Sequence, residues 1–143
     1  MKIIFSLNCI FCFVSISFAQ LDITFTGVGS AEGKLVVSIH DSESSFNAKE
    51  ASAQTTIAAN SSELRYKIDD LKPGYYVIRV FHDLNDNDKL DKNFIGIPSE
   101  PYGVSNNAKE KFGPPKYEKA KFYYDGTSMS LFIKVDRHTI SSK

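Results

Sequence analysis

The sequence predicts an all-β fold, a single antiparallel β-sandwich of about seven strands with one long ordered loop. Three observations carry that expectation. Apolar and polar residues alternate with period two along most of the chain, turn residues punctuate the alternating runs, and helical periodicity is almost absent. Short alternating strands separated by turns are what two packed antiparallel sheets look like in sequence.

Taken in order, Leu21, Ile23 and Phe25 alternate with Asp22, Thr24 and Thr26, so one face is apolar and the other polar. Leu35, Val37 and Ile39 alternate with Lys34, Ser38 and His40, broken only by Val36. Gln54 to Ala58 is a weaker strand, whereas Leu64, Tyr66 and Ile68 alternate clearly with Arg65, Lys67 and Asp69. Tyr75 to Phe81 is more uniformly apolar, which suits a strand at the centre of a sheet. Lys121 to Tyr124 is short, and Met129 to Val135 alternates again. Gly27-Val28-Gly29-Ser30, Asn60-Ser61-Ser62, Lys72-Pro73-Gly74 and Asp125-Gly126-Thr127 supply the turns. One helical turn is expected over Ser45 to Ala53, with Ala48, Ala51 and Ala53 covering an edge. Ile23, Ile39, Tyr66, Val77, Leu131 and Ile133 are expected to share one core.

Residues 1–19 read as a secretory signal: Lys2, an apolar stretch from Ile3 to Phe18, and Ser17-Phe18-Ala19 as the cleavage site. Ser6, Asn8, Ser15 and Ser17 interrupt the stretch, which falls short of the roughly 20 apolar residues of a membrane span. The expected product is exported to the periplasm or the exterior, begins at Gln20, and carries no transmembrane segment. Cys9 and Cys12 both lie inside the signal, so residues 20–143 have no disulfide, thiolate chemistry or cysteine-zinc site. With Lys2 gone, 16 basic residues face 17 acidic ones, and such balance argues against nucleic acid as a partner.

The stretch from residue 83 to residue 120 is too long for a plain connection and carries the chemistry. Asp83, Asn85, Asn87 and Asp91 place side-chain oxygens at relative positions 1, 3, 5 and 9, the spacing at which a loop wraps a calcium ion. Asp88 stands at the turn position and Phe94 at position 12, so an EF-hand is disfavoured. Any remaining ligands would come from backbone carbonyls, water or Glu100. An Asn/Asp-rich turn that bonds its own backbone fits the same residues. Phe94, Ile95, Ile97, Tyr102, Val104, Phe112 and Tyr117 argue that the excursion folds back onto the sandwich.

Leu71-Lys72-Pro73-Gly74-Tyr75-Tyr76-Val77 resembles the turn-strand of transthyretin-like and collagen-adhesin B-type sandwiches. That resemblance implies that the Pro-Gly turn launches a central strand and that the aromatic packs inside. Asp83-Leu84-Asn85-Asp86-Asn87 with Asp91 is similar to the calcium loop of some B-type repeats. Those loops usually have Gly where Asp86 or Asp88 stands here. Almost all of residues 20–143 resembles a bacterial secreted family known as domain of unknown function 2141. The resemblance runs through His82-Asp83-x-Asn85-x-Asn87, then Leu90-Asp91-x-Asn93-Phe94-Ile95-Gly96-Ile97-Pro98-x-Glu100-Pro101-Tyr102-Gly103. Ser105-Asn106-Asn107-Ala108 and Phe112-Gly113-Pro114-Pro115 extend it. It implies a Gram-negative envelope protein and brings no activity.

His40-Asp41 and His82-Asp83 each end a strand, a pairing that could serve a metal or a general base. No G-x-S-x-G elbow occurs. Tyr102, Tyr117, Tyr123 and Tyr124 suit either packing or a face for carbohydrate or protein, with packing favoured. The leading expectation is a non-enzymatic envelope module, calcium-stabilised, whose partner is an envelope protein or a carbohydrate. Its rival is a small hydrolase or metal enzyme built on His82, Asp83 and Glu100.

Overall fold

The computed structural model describes residues 19–111 and 113–137. The signal-sequence reading of residues 1–19 falls almost wholly outside them, as do Phe112 and His138. Among the described residues eight strands form two sheets: β1 (Gln20–Thr26), β2 (Lys34–His40), β3 (Ala53–Ala58), β4 (Glu63–Asp69), β5 (Gly74–Asp83), β6 (Tyr102–Val104), β7 (Phe122–Tyr124) and β8 (Met129–Lys134). One sheet runs β4-β1-β8. The other runs β3-β2-β5-β6, with β7 also on β5. The all-β sandwich and all seven expected strands are present, and β6 is additional.

Alternation decides which side of each strand is dry. Leu21, Ile23 and Phe25 of β1, Leu35, Val37 and Ile39 of β2, Ile78 and Val80 of β5, and Leu131 and Ile133 of β8 meet in one apolar cluster between the sheets. Every pairing is antiparallel except β1 with β8, which runs parallel. The sandwich is therefore antiparallel-rich with one parallel edge. Tyr76, the motif aromatic after Pro73-Gly74, packs against this core, and its hydroxyl donates to the Lys72 carbonyl oxygen at 2.9 Å.

The five-stranded sheet is buried on its outer face as well. Helix α1 (Glu43–Ala48) starts at Ser42, whose hydroxyl oxygen accepts the Ser45 N–H at 3.2 Å. It presses Phe46, not an alanine, onto the sheet. Ala48 and Ala53 are exposed, so the expected alanine cover is corrected. Helix α2 (Tyr117–Ala120) contributes Ala120 from the far end of the excursion. Phe46, Val77, Val104, Ala108 and Ala120 form this second cluster, with Tyr102 and Tyr117 against it. Val77 thus belongs outside the main core. Val77 and Ile78 necessarily point to opposite faces of β5.

Strand β5 shares one edge between two partners. Gly74–Tyr76 pairs with β7 and Arg79–Phe81 with β6. In the gap the Ile78 N–H donates to the Ser105 hydroxyl at 3.1 Å, and that hydroxyl donates to the Ala120 carbonyl at 2.6 Å. A single buried serine thereby continues the ladder where no strand lies and ties in the excursion.

Candidate functional site

The loop after β5 is a polar clasp. Asp83, the last residue of the longest strand, is fully buried. Its two carboxylate oxygens accept the N–H groups of Asn87 (3.2 Å) and Asp88 (2.8 Å). This closes the chain on itself, an arrangement that requires left-handed backbone at Asp86 (φ 62°) and Asp88 (φ 60°). Aspartate tolerates that region better than most residues because its short side chain bonds locally.

Asp91 gathers the two asparagines. Asn85 Nδ2 donates to one of its oxygens at 2.6 Å and Asn87 Nδ2 to the other at 3.0 Å. Asn87 Oδ1 accepts the Lys89 N–H at 2.8 Å. Glu100, buried, holds both ends of the loop: one oxygen accepts the Leu84 N–H at 2.9 Å and the other the Asp91 N–H at 3.0 Å. Glu100 is a clamp of the loop base. A residue outside the spacing motif thus does as much to shape the loop as those inside it.

Lys34 enters from β2, whose register sets it directly opposite Asp83. Its ammonium pairs with the carboxylates of Asp86 and Asp88 and lies 3.8 Å from Asp83. Hydrogen bonds to Asp86 and Asp88 push the Lys34 ammonium well above the usual lysine value. The β1–β2 turn passes so close that a Cβ at Gly33 (φ 74°) would collide with the Asp83 carbonyl.

The four expected metal ligands thus lie in one loop, but they form two linked groups, Asp83 with backbone amides and Asp91 with the asparagines. Among the described residues, no three His, Cys, Asp or Glu side chains are placed to hold a metal ion. A calcium site would draw on asparagine and backbone oxygens as well. The donor set suits that: rotating the Asn85 and Asn87 carboxamides by half a turn would present oxygen where Nδ2 now faces Asp91. For Asn87 the rotation exchanges the bond from Lys89.

The rival trio is divided. His82 and Asp83 are consecutive in β5 and point to opposite faces. His82 is buried, with Nε2 2.6 Å from the Glu32 carbonyl oxygen, while Asp83 and Glu100 serve the loop. His40 pairs opposite Val77 and His82 opposite Leu35. At about 3.4 Å per residue the two histidines are roughly 17 Å apart along the ladder, and they face opposite sides. Of the four tyrosines, Tyr124 is buried, Tyr102 and Tyr117 are half-buried, and only Tyr123 is exposed. Tyr123 lies against exposed Tyr75 in a tilted pair with ring centroids 5.1 Å apart, and the Lys121 ammonium lies 5.0 Å over Tyr75.

Beyond the loop the chain makes a small hairpin closed by the Lys92–Pro98 bridge, and Asn93 Oδ1 accepts the N–H groups of Ile95 and Ile97. Phe94 at its tip is 98% exposed and Ile95 63%. The expectation that both are buried is corrected. Asn93 turns the backbone inside a hairpin, leaving Phe94 at its tip nothing to pack on and Ile95 only partly covered.

The outer face also holds a cleft of about 740 Å³ that no sequence motif marked. His40, Arg79 and Tyr102 reach it from the sheet, and Ile95, Ile97 and Pro114 from the excursion. Burial lowers the His40 pKa below its ordinary value, and the Arg79 charge lowers it further. Burial also lowers that of Arg79.

A β-sandwich with one face roofed by a long loop is the class of protein these features define. Residues 23–131 match the family described as uncharacterized proteins conserved in bacteria, DUF2141, and the chain belongs to that family. No curated protein and no solved structure matches the chain. Among the described residues no helix is long and apolar enough to cross a membrane.

Proposed function

We propose that this chain is an exported, non-enzymatic β-sandwich module of the bacterial envelope, periplasmic or extracellular, whose long loop is stabilised by calcium at Asp83, Asn85, Asn87 and Asp91. The observation that carries the reading is the loop base: Glu100 fixes both ends while Asp83, Asn85, Asn87 and Asp91 stay within one turn of each other. A clamped, oxygen-rich loop supports cation binding because little chain ordering is left to oppose it. A binding or structural role is favoured over a hydrolase because His82 lies on the opposite face of β5 from Asp83. The Tyr75–Tyr123 pair is where an envelope protein or a carbohydrate would be met, since such rings offer large area with a polar edge.

Melting in calcium, magnesium and chelator tests the reading. Free calcium at about 100 times its dissociation constant would add roughly 2.7 kcal/mol to the folded state. For a domain of this size that is a rise of roughly 6–15 °C. Asp91→Ala should abolish the rise, and magnesium should substitute poorly, being reluctant to shed water for a loose cage. A melting point unchanged across all three conditions would leave the loop as a self-bonded turn. N-terminal sequencing of the exported protein should begin at Gln20, and a retained leader would overturn export.

A further inference from the structure

We infer that the cleft over the outer face of the five-stranded sheet binds a small carboxylate with an apolar body. This rests on the reading of a non-catalytic binding module and assigns it a site and a ligand class. The floor of the cleft is cationic. Arg79, in the middle of β5, lies with its guanidinium carbon 3.7 Å from the centre of the Phe46 ring. Stacking uses the face of a guanidinium and leaves its N–H edge for an anion. No carboxylate among the described residues pairs with it. Lys49, Lys89 and Lys92 add three more cations to the lining, none in an ion pair with a described carboxylate, whereas Asp88, the lining acid, is taken by Lys34.

His40 gives the second, independent observation. It is 1% exposed and reaches the same cleft, and its ring nitrogens, although close to the Ser45 and Glu50 carbonyls, make no hydrogen bond of good geometry. Buried polar atoms are nearly always well partnered, so an imidazole this poorly satisfied on a cavity floor leaves a place for a group that completes it. A carboxylate received by Arg79 and His40 would do so.

The walls set the rest of the ligand. Phe81, Ile95, Ile97, Pro98 and Pro114 are apolar, and the volume of about 740 Å³ lies in the range of small-molecule sites. A sugar needs carboxylate and amide acceptors for its hydroxyls. This cleft offers cations and hydrocarbon instead, which match an acid head and an apolar tail.

Isothermal titration with decanoate tests the assignment, with decanol lacking the charge and acetate lacking the tail. Decanoate should bind saturably, and both controls at least about tenfold more weakly. Arg79→Gln should weaken decanoate about tenfold or more, as expected for one charge-assisted hydrogen bond. Ile97→Asp, which sets a negative charge on a half-exposed wall position, should abolish binding with the melting temperature retained. It keeps the test decisive if Arg79→Gln fails to fold. No saturable decanoate binding, equal binding of decanol, or wild-type affinity in Ile97→Asp would overturn the inference. A protein that shows the calcium shift but not the decanoate heat would lose this ligand class and keep the module.

Discussion

On its inner face the five-stranded sheet sets Leu35, Val37, Ile39, Ile78 and Val80 against the other sheet, and all five are buried in one hydrocarbon cluster. On its outer face the same two central strands present Val36, Ser38, His40, Val77, Arg79 and Phe81 to a roof made from α1 and the excursion. That roof seals one part with Phe46, Val104, Ala108 and Ala120 and leaves the rest as a cleft. The inner face needs only a matching apolar surface, which any register-true partner sheet supplies. The outer face mixes charge with hydrocarbon, so it needs specific loop geometry. Both faces bury hydrocarbon, but charge and chemistry are concentrated on the outer one.

The comparison breaks first on the weight of the two clusters. Leu131→Ala in the inner core should cost about 2–5 kcal/mol, and Phe46→Ala on the outer face about 3–5 kcal/mol. Denaturant unfolding of both variants checks this. A Phe46→Ala cost near zero would make the roof an ornament laid on a finished sandwich. A large cost would make it a second core, with Arg79 losing its ring at the same stroke.

Ser105→Ala probes the seam between strand and roof. It removes the acceptor of the Ile78 N–H and the short bond to the Ala120 carbonyl, which keeps only a long contact from Asn106 Nδ2 at 3.4 Å, at a cost of about 1–3 kcal/mol. Hydrogen exchange at Ile78 should speed up with it. Unchanged exchange there would mean that β6 and β7 alone hold that edge.

The inner face was legible in the sequence and the outer face largely was not, for a physical reason. A period of two reports which side of a strand is apolar, and β1, β4 and β8 have one apolar and one solvated side. Strands β2 and β5 are covered on both sides, so Val36 broke the alternation of one and the other read as a nearly continuous apolar run. Both departures were the visible trace of the roof. Arg79 stood inside that run, the one charge among apolar neighbours, and was the available signal for the cleft. Strand β6 spans three residues with Gly103 in the middle, too short for any period to register. The parallel pairing of β1 with β8 leaves no mark in either strand, since alternation is blind to neighbours. In the loop, the oxygen spacing found the four polar residues, but the clamp by Glu100 depends on a chain reversal at the hairpin that spacing does not encode. Phe94 was misjudged because apolar character alone does not say whether a surface is within reach.

The smallest expected effect is the most specific to the outer face. Burial holds the His40 pKa below its ordinary value of 6.5, with Arg79 reinforcing the shift and the carbonyls of Ser45 and Glu50 and the Asp41 carboxylate opposing it. A histidine with a lowered folded pKa is protonated more readily in the unfolded chain. Its contribution is therefore complete above about pH 6.5 and is lost as pH falls toward the folded value. Unfolding free energies of the wild type and of His40→Leu, measured from pH 7.5 down to about 5, isolate that contribution, because carboxylates titrate mostly lower. The wild type should lose stability relative to the variant across that window. Parallel pH profiles would mean that the ring can take up its proton in place, with water or a rearranged carbonyl as partner. The cleft floor would then be wet, and the poorly satisfied imidazole would no longer distinguish this face from any solvated strand.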